Sequence, residues 1–246
     1  MSFYERIAPY YDEIFPVGEE QLGFIRQTAG KPPKRLLDVA CGSGTYTVRL
    51  AREGYEMWAC DIDHKMTELA ESRATEHGYR VNVFISDMLE LNRNVSSVFD
   101  CVFCIGNSIV HLGSADKIGE AVIQMKNLLG PGGKLILQII NFDRVIEKGV
   151  TNLPTITNAE KKLEFKRNYT LDQSTGLIHF DTVLTVEEND RTTQLENRVD
   201  LYPLKALTLQ ELLEKAGLRD ISFYGGFNGE TYVRDESFLL VALAAV

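Results

Sequence analysis

The chain has 246 residues, of which 44% are hydrophobic and 25% are charged, a composition typical of a globular protein with a full apolar core. Its 26 lysines and arginines are outnumbered by 35 aspartates and glutamates, which gives a net charge of -9 and leaves no basic run suited to a nucleic-acid backbone. The first fifteen residues mix charged with apolar side chains, and no apolar stretch is long enough to cross a bilayer. We therefore expect a cytoplasmic protein with no nucleic-acid and no membrane partner.

From residue 35 onward, apolar runs rich in β-forming residues alternate with amphipathic stretches. In chain order we predict a strand at RLLDVA, a helix over residues 43–53, a strand at YEMWACDI, a helix capped by Asp63, strands at YRVNVFIS and FDCVFCIG, a helix beginning near Ser114, and a strand at KLILQII. Continuous apolar strands that alternate with helices are typical of a parallel sheet covered on both faces.

Between about residues 160 and 202 the pattern changes to a period of two residues. Three segments, LEFKRNY, LIHFDTVLTVEE and TTQLENRVDLY, predict three antiparallel strands, which are too few to form a core of their own. Further on, TLQE at residues 208–211 predicts a capping box that opens a helix, and LRDISFYG and SFLLVALAAV predict the last two strands.

These patterns together predict an α/β fold. Its core is a doubly wound, mostly parallel seven-stranded sheet, with a small antiparallel sheet inserted after strand five at residues 155–202. We expect residues 1–246 to form a single domain, because the inserted strands need the main sheet to pack against.

Two of the four cysteines, Cys101 and Cys104, have the spacing of a metal or redox pair. They fall within a predicted buried strand, where residues three apart point to opposite faces. Such a pair does not hold one metal ion, and the sequence contains no second pair. We expect reduced thiols that pack as apolar side chains, and no metal site.

The segment LLDVACGSGTYT, residues 36–47, combines a strand, a small-residue turn and the start of a helix. Ligands of open α/β sheets bind beyond the carboxyl ends of the strands, so this turn belongs at the ligand crevice. Ala40, Gly42 and Gly44 allow the backbone to approach a ligand closely. Asp61 ends the second strand, about twenty residues beyond the glycine turn, which is the sequence separation expected for a carboxylate that accepts hydrogen bonds from ribose hydroxyls. An adenosine-bearing ligand is therefore favoured.

Two ligands of this kind are a nicotinamide dinucleotide and S-adenosylmethionine. The dinucleotide fingerprint has a third glycine where this chain has Thr45 or Thr47, which disfavours the dinucleotide. S-adenosylmethionine has no phosphate but carries cationic groups, and Asp38 at the end of the first strand offers them a carboxylate. An aspartate there also suits a turn cap, and the two roles are compatible.

Four segments, in order and at proper spacing, resemble the motifs of class I S-adenosylmethionine-dependent methyltransferases: LLDVACGSGTYT, ACDID, ISDMLEL and FDCVFCIGNSIVHL. The resemblance implies a Rossmann-like methyltransferase fold and S-adenosylmethionine as the cofactor. It implies that Asp61 binds the ribose, that Ile62 and Met66 flank the adenine, that Asp87 and Met88 contact the adenine edge, and that Cys104, Ile105 and Gly106 line the methionine part.

The segments CIGNSIVHL and IINFDRVI look like the corresponding parts of glycine and sarcosine N-methyltransferases. This resemblance implies a small-molecule acceptor, an amine, held between Asn141, the inserted sheet and the N-terminal tyrosines. Arg167, with Tyr169 beside it, is a candidate for binding an acceptor carboxylate. An arginine on an exposed strand is also commonly a solvated charge or a cross-strand partner.

His111 follows the fourth motif and is the candidate general base, with a hydrogen bond to a loop as the alternative. The resemblance also implies that a helical segment within residues 1–30 closes over the site, for which Tyr11 is the candidate contact. The alternative is an amphipathic helix that rests on the core. Two other functions stay open: a cofactor-binding module without catalysis and, less favoured, a nicotinamide-dependent oxidoreductase.

Overall fold

The computed structural model describes residues 3–188 and 191–246. The helices are α1 (Phe3–Ile7), α2 (Tyr11–Ile14), α3 (Glu19–Ala29), α4 (Thr45–Arg52), α5 (His64–Glu76), α6 (Leu91–Asn94), α7 (Ala115–Asn127), α8 (Phe142–Glu147) and α9 (Ala206–Lys215), with 3-10 turns at Ala8–Tyr10 and Ser108–Leu112. The strands are β1 (Arg35–Val39), β2 (Glu56–Asp61), β3 (Val81–Ile85), β4 (Phe99–Cys104), β5 (Leu129–Ile140), β6 (Asn152–Asn158), β7 (Leu163–Leu171), β8 (Ile178–Glu188), β9 (Arg191–Leu201), β10 (Arg219–Tyr224) and β11 (Leu239–Ala245).

Seven strands form the main sheet in the order β10-β11-β5-β4-β1-β2-β3. Strands β1 to β5 run parallel, and β11 and β10 add antiparallel pairings at one side. The strand order reverses between β1 and β4, so the crevice predicted for a ligand lies beyond the carboxyl ends of these two strands. The predicted doubly wound α/β fold is confirmed.

Apolar clusters cover both faces of the main sheet, and the two β4 cysteines divide between them. Cys104 belongs to the larger cluster with α7, whereas Cys101 packs with the buried side chains of α3. All four cysteines are free and buried, and burial raises the pKa of the Cys101 thiol to about 12. The prediction that the pair points to opposite faces is confirmed. Within the described part of the chain no group of three or more metal-ligating side chains forms, and no helix has the length and apolarity to span a bilayer.

The inserted antiparallel sheet has four strands in the order β6-β7-β8-β9, so the prediction of three strands between about residues 160 and 202 is wrong in number. The missing strand is β6, which starts at Asn152 and contains Pro154. Proline is tolerated there because β6 is an edge strand and its register shifts between Leu153 and Ile156. An exposed edge strand has little apolar alternation, so the period-two pattern did not reveal it.

Helix α9 begins at Ala206, two residues before the predicted capping box at residues 208–211. Its N-cap residue, Lys205, makes no side-chain cap. Instead, the buried carboxylate of Asp143 accepts a hydrogen bond from the Ala206 amide at 2.8 Å. The capping box is therefore wrong, because a side chain distant in sequence satisfies the first turn.

The N-terminal segment, residues 3–15, crosses the inner face of the inserted sheet. Ile7 and Ile14 are fully buried in one cluster with Phe165 and Leu184. Next to Ile7, the Arg6 guanidinium donates to the Glu196 carbonyl of β9 at 3.0 Å. Asp12 accepts a hydrogen bond from the Ser43 hydroxyl, so the segment also joins the inserted sheet to the glycine turn of the main sheet.

Candidate active site

The small-residue turn after β1 uses backbone conformations that few residues adopt. Gly42 and Gly44 have φ angles of +55° and +75°, and a Cβ on Gly44 would lie 2.6 Å from the Cβ of Ala70. Gly44 therefore allows α4 to begin directly against α5. Ala40 also has a positive φ, +59°, and such strain at a non-glycine residue is typical of ligand-binding turns.

Asp61 joins this turn to the end of β2. Its Oδ2 accepts the Gly42 amide at 2.9 Å, and its Oδ1 accepts the Asp63 amide at 3.0 Å. Burial raises the pKa of this carboxyl group, and the two amide bonds oppose that rise. Each carboxylate oxygen has capacity for a further hydrogen bond, so the group is able to bind hydroxyls of a ligand.

Asp38 is a second buried carboxyl group, 2% exposed, at the end of β1. The Thr47 hydroxyl donates to its Oδ2 at 2.7 Å. Burial raises the Asp38 pKa to about 7, with a smaller contribution from the Asp61 charge, while the Thr47 bond opposes the rise. A cationic ligand group nearby would favour the ionised form.

A cleft of about 270 Å³ opens at the carboxyl ends of β1 and β3. Its walls are Val39, Ala40, Ile62, Ser86, Asp87, Met88, Leu89, Ser108, His111, Leu112 and Lys117. Four of the predicted cofactor residues therefore meet the candidate base in one cavity. Ile62 is 68% exposed, which leaves an apolar surface available to a flat ring.

The other predicted cofactor residues lie at different depths. Met66 is 1% exposed and packs in the core, and Cys104 and Ile105 are buried at the end of β4. Gly106 is exposed, with a φ of +82°, and its amide donates to Gln138 Oε1 at 2.7 Å. None of these four lines the 270 Å³ cleft, so their contacts with a cofactor stay predictions.

Asn107 precedes Ser108, which lines the cleft, and was not predicted from the sequence to shape this loop. It has a φ of +67°, and its Oδ1 accepts the Ile140 amide at 2.9 Å, which fixes the loop after β4 to the end of β5. The available signal was the GNS segment, in which a glycine and an asparagine in succession indicate a left-handed turn.

His111 lies in the 3-10 turn Ser108–Leu112 and forms one wall of the cleft. The side chain is accessible to solvent, but the surrounding walls lower the pKa of the imidazole below its usual value. The lowered pKa favours the neutral ring, which is able to accept a proton.

The N-terminal segment is fastened to the glycine turn by three residues, which we name the N-terminal latch: Asp12, Ser43 and Arg73. The Ser43 hydroxyl donates to Asp12 Oδ1 at 2.5 Å, and Arg73 pairs with Asp12. Arg73 Nε also donates to the Ser43 carbonyl at 3.0 Å. The latch holds Tyr11 over the turn, since a Cβ on Gly42 would lie 2.6 Å from the Tyr11 hydroxyl oxygen.

Asn141 is buried at the end of β5, and its side chain is fully engaged. Its Nδ2 donates to the carbonyls of Arg234 and Ser237, each at 2.9 Å. Its Oδ1 accepts the Tyr232 hydroxyl at 2.9 Å and the Arg144 amide at 3.3 Å. These bonds fasten the loop before β11 to β5. The predicted contact between Asn141 and the methyl-accepting substrate stays a prediction.

Arg167 and Tyr169 lie on the inner face of the inserted sheet. Arg167 Nη2 donates to the Pro154 carbonyl at 2.6 Å, whereas its Nε is buried without a hydrogen-bond partner in the described residues. The Tyr169 hydroxyl is likewise buried and unpartnered. Burial lowers the pKa of Arg167 and raises that of Tyr169.

Comparison with known proteins identifies similar sequences and structures. Residues 36–133 match the family model described as a methyltransferase domain. A glycine/sarcosine N-methyltransferase of Aphanothece halophytica is 28% identical over 221 residues, which cover 90% of this chain and 79% of the relative.

Two solved structures share the fold. An S-adenosylmethionine-dependent methyltransferase from Clostridium acetobutylicum ATCC 824 has a TM-score of 0.82 at 17% identity, covering 100% of this chain and 99% of that one. A sugar N-methyltransferase from Streptoalloteichus sp. ATCC 53650 has a TM-score of 0.72 at 18% identity, covering 96% and 91%. The likeness therefore includes the inserted sheet as well as the main sheet.

Proposed function

We propose that this chain, a class I S-adenosylmethionine-dependent methyltransferase, transfers the methyl group to the amine nitrogen of a small molecule. The cleft is the observation that carries the proposal, because Ile62 and Asp87, which suit an adenine ring, line it together with the imidazole of His111. The relatives named as glycine/sarcosine N-methyltransferases support an amine acceptor.

The side chains around the glycine turn and the cleft suit this cofactor. Asp61 keeps unused lone pairs for ribose hydroxyls, Ile62 exposes an apolar surface for adenine, and Asp38 offers a carboxylate to a cationic group. When bound, S-adenosylmethionine supplies a methyl group activated by the positive charge on sulfur. The contribution of Met66, Cys104, Ile105 and Gly106 is proposed from the family motifs.

Arg167 is proposed to bind a carboxylate of the acceptor. Among the described residues its guanidinium bonds the Pro154 carbonyl and forms no ion pair, and burial lowers its pKa. A half-buried arginine without an acidic partner is suited to an anionic ligand, which its forked donors bind in a defined orientation. Tyr169 lies two residues along the same face.

The residues of this chain have two tasks in the reaction. An amine reacts only after it has lost its proton, and an imidazole nitrogen of His111 is proposed to accept that proton. The N-terminal segment and the inserted sheet are proposed to exclude water and hold the acceptor in line. Opening of the N-terminal latch then permits release of the products.

We also propose that the enzyme works in the cytoplasm on a free small molecule. The four buried, unpaired thiols support a reducing compartment. The net charge of -9 makes nucleic acid an unfavourable partner.

The test is transfer of a labelled methyl group from S-adenosylmethionine to a panel of amines. The panel pairs glycine and sarcosine with neutral amines of similar size, such as glycinamide, and mass spectrometry locates the label. We expect label on the nitrogen of a carboxylate-bearing amine. Label on oxygen or carbon would contradict the proposal, and so would cofactor binding without transfer to any amine.

Matched arginine variants complete the experiment. Arg167→Met is expected to lose acceptor turnover at least tenfold and to keep the affinity for S-adenosylhomocysteine. Arg198→Met is the control, because Arg198 is exposed on β9 and pairs with Asp181. Equal losses in both variants would remove Arg167 from the acceptor site.

A further inference from the structure

Three unpartnered polar atoms gather on the inner face of the inserted sheet. In the described residues, four buried side-chain nitrogen or oxygen atoms have no hydrogen-bond partner, and three of them are Arg167 Nε, the Tyr169 hydroxyl and Thr182 Oγ1. Buried polar groups are nearly always paired, since an unpaired one costs free energy in the folded state. Their clustering on two strands indicates a site that a polar ligand completes.

The pairing of β7 with β8 places these groups side by side. Arg167 lies directly opposite Thr182, and Tyr169 lies opposite Phe180, one inward-facing step along both strands. Side chains directly opposite each other on one face have Cβ atoms roughly 5 Å apart. Arg167 and Tyr169 are also close enough to affect one another's pKa.

Thr182 interrupts an otherwise apolar row. Of the alternate residues 178–186 of β8, all of which the structure describes, Thr182 alone is polar. On one side, Leu184 packs beneath the N-terminal segment, and on the other, Ile178 joins the main core. The threonine therefore lies between the N-terminal segment and the main sheet, at 1% exposure.

We propose that Thr182 is an acceptor-specificity residue, whose hydroxyl binds the acceptor carboxylate together with Arg167 Nε and the Tyr169 hydroxyl. The inference rests on the proposed function and names the group by which the acceptor is selected. A carboxylate accepts hydrogen bonds at both oxygens, so it satisfies all three donors. A carboxamide turns an N–H group toward donors and leaves at least one unpaired, which discriminates against it.

The test compares Thr182→Val, which removes the hydroxyl and keeps the shape, with Thr182→Ser, which keeps the hydroxyl. Thr185→Val is the matched control, because Thr185 lies on the outward face of the same strand. The measured quantities are kcat/KM for the methylated amine, KM for S-adenosylmethionine, and the urea midpoint of unfolding without substrate.

We expect Thr182→Val to lower kcat/KM for the carboxylate amine about tenfold, mainly through KM, as loss of one bond to a charged group predicts. Its preference for the carboxylate over the carboxamide should fall, while KM for S-adenosylmethionine stays unchanged. The urea midpoint should be equal or higher, because the substitution removes an unpaired buried hydroxyl. Thr182→Ser should retain most of the acceptor affinity.

Two results would overturn the inference while the proposed function stands. One is an unchanged kcat/KM in Thr182→Val, and the other is a lowered urea midpoint with Thr185→Val unaffected, which would show that the hydroxyl is bonded within the fold. If the wild-type protein itself methylates no amine, the proposed function fails and the inference fails with it. That case is recognised by the wild type and not by the variant.

Discussion

Asp61 is the residue on which the cofactor half of the account depends most. Its carboxylate accepts the amides of Gly42 and Asp63 and so holds the glycine turn against the end of β2. We predict that Asp61→Ala weakens S-adenosylhomocysteine binding about 10- to 100-fold, because each bond to a charged acceptor contributes about 1.5–3 kcal/mol. Isothermal titration calorimetry measures the change.

Asp100→Ala is the control for this substitution. Unlike Asp61, Asp100 lies far from the glycine turn, near the start of β4, where its carboxylate pairs with Lys34 at 2.8 Å. It is therefore expected to leave cofactor affinity unchanged. If Asp61→Ala binds as tightly as Asp100→Ala, Asp61 does not contact the ribose.

The raised pKa of Asp38 leads us to predict that cofactor binding depends on pH. Its folded-state pKa of about 7 lies above the ordinary value of 3.8, so between these values the folded protein holds a proton that the unfolded chain has lost. The contribution of Asp38 to stability therefore falls as pH rises from about 4 to 7. A cationic cofactor favours the ionised form, so binding should release a proton below pH 7 and tighten as pH rises from 6 to 8.

Titration of S-adenosylmethionine into the protein, followed by calorimetry in two buffers of different ionisation enthalpy, measures the number of protons released on binding. We expect release at pH 6, little release at pH 8, and none at either pH in Asp38→Asn. Proton release in Asp38→Asn equal to that of the wild type would assign the effect to another group.

At the residue scale, the sequence predicted side chains whose position follows from local pattern. Asp38, Asp61 and Asp87 each lie within two residues of the end of a strand, so a strand prediction also locates them. Thr182 was not predicted, since a threonine within a β-strand is ordinary and only the register with Arg167 reveals it. The full engagement of Asn141 depends equally on residues about ninety positions away.

Among the elements, the N-terminal segment is the part most suited to control access. The latch of Asp12, Ser43 and Arg73 fastens it over the glycine turn. We predict that Asp12→Ala raises KM for S-adenosylmethionine about 5- to 20-fold with a smaller change in kcat. The substitution removes the bonds of the Asp12 carboxylate to Ser43 and Arg73, which hold the segment closed. Steady-state kinetics separates the two constants.

Glu13→Ala is the control for the latch. Glu13 pairs with Lys161 at 3.9 Å, and a long ion pair with an exposed lysine contributes little. We expect Glu13→Ala to match the wild type. An equal rise in KM in both variants would indicate a general loss of helix packing and no specific latch.

The elements were predicted where their own residues determine them. Helix α7 begins after Ser114, as the sequence predicted, and in the structure the Ser114 hydroxyl also accepts the Lys117 amide at 3.3 Å. Strand β6 and the start of α9 were not predicted correctly. Strand β6 is an exposed edge strand with little apolar alternation, so its own residues give a weak signal. The start of α9 depends on the Asp143 carboxylate, which is distant in sequence and accepts the Ala206 amide.

For the whole molecule, the two sheets divide the work. The parallel sheet presents the carboxylates and the apolar surface proposed for the methyl donor, and the antiparallel sheet presents the donors proposed for the acceptor. The sequence predicted both sheets, since strand periodicity and helix alternation are local. It did not predict how the sheets and the N-terminal segment meet, because that arrangement arises from packing between segments more than a hundred residues apart.

A crystal structure with S-adenosylhomocysteine and a carboxylate-bearing amine tests the central claim most directly. We predict adenine against Ile62 and Asp87, ribose hydroxyls on Asp61, and the amine carboxylate on Arg167 with its nitrogen toward the cofactor sulfur. An amine whose carboxylate lies away from Arg167, or a cofactor bound outside the cleft, would contradict the account.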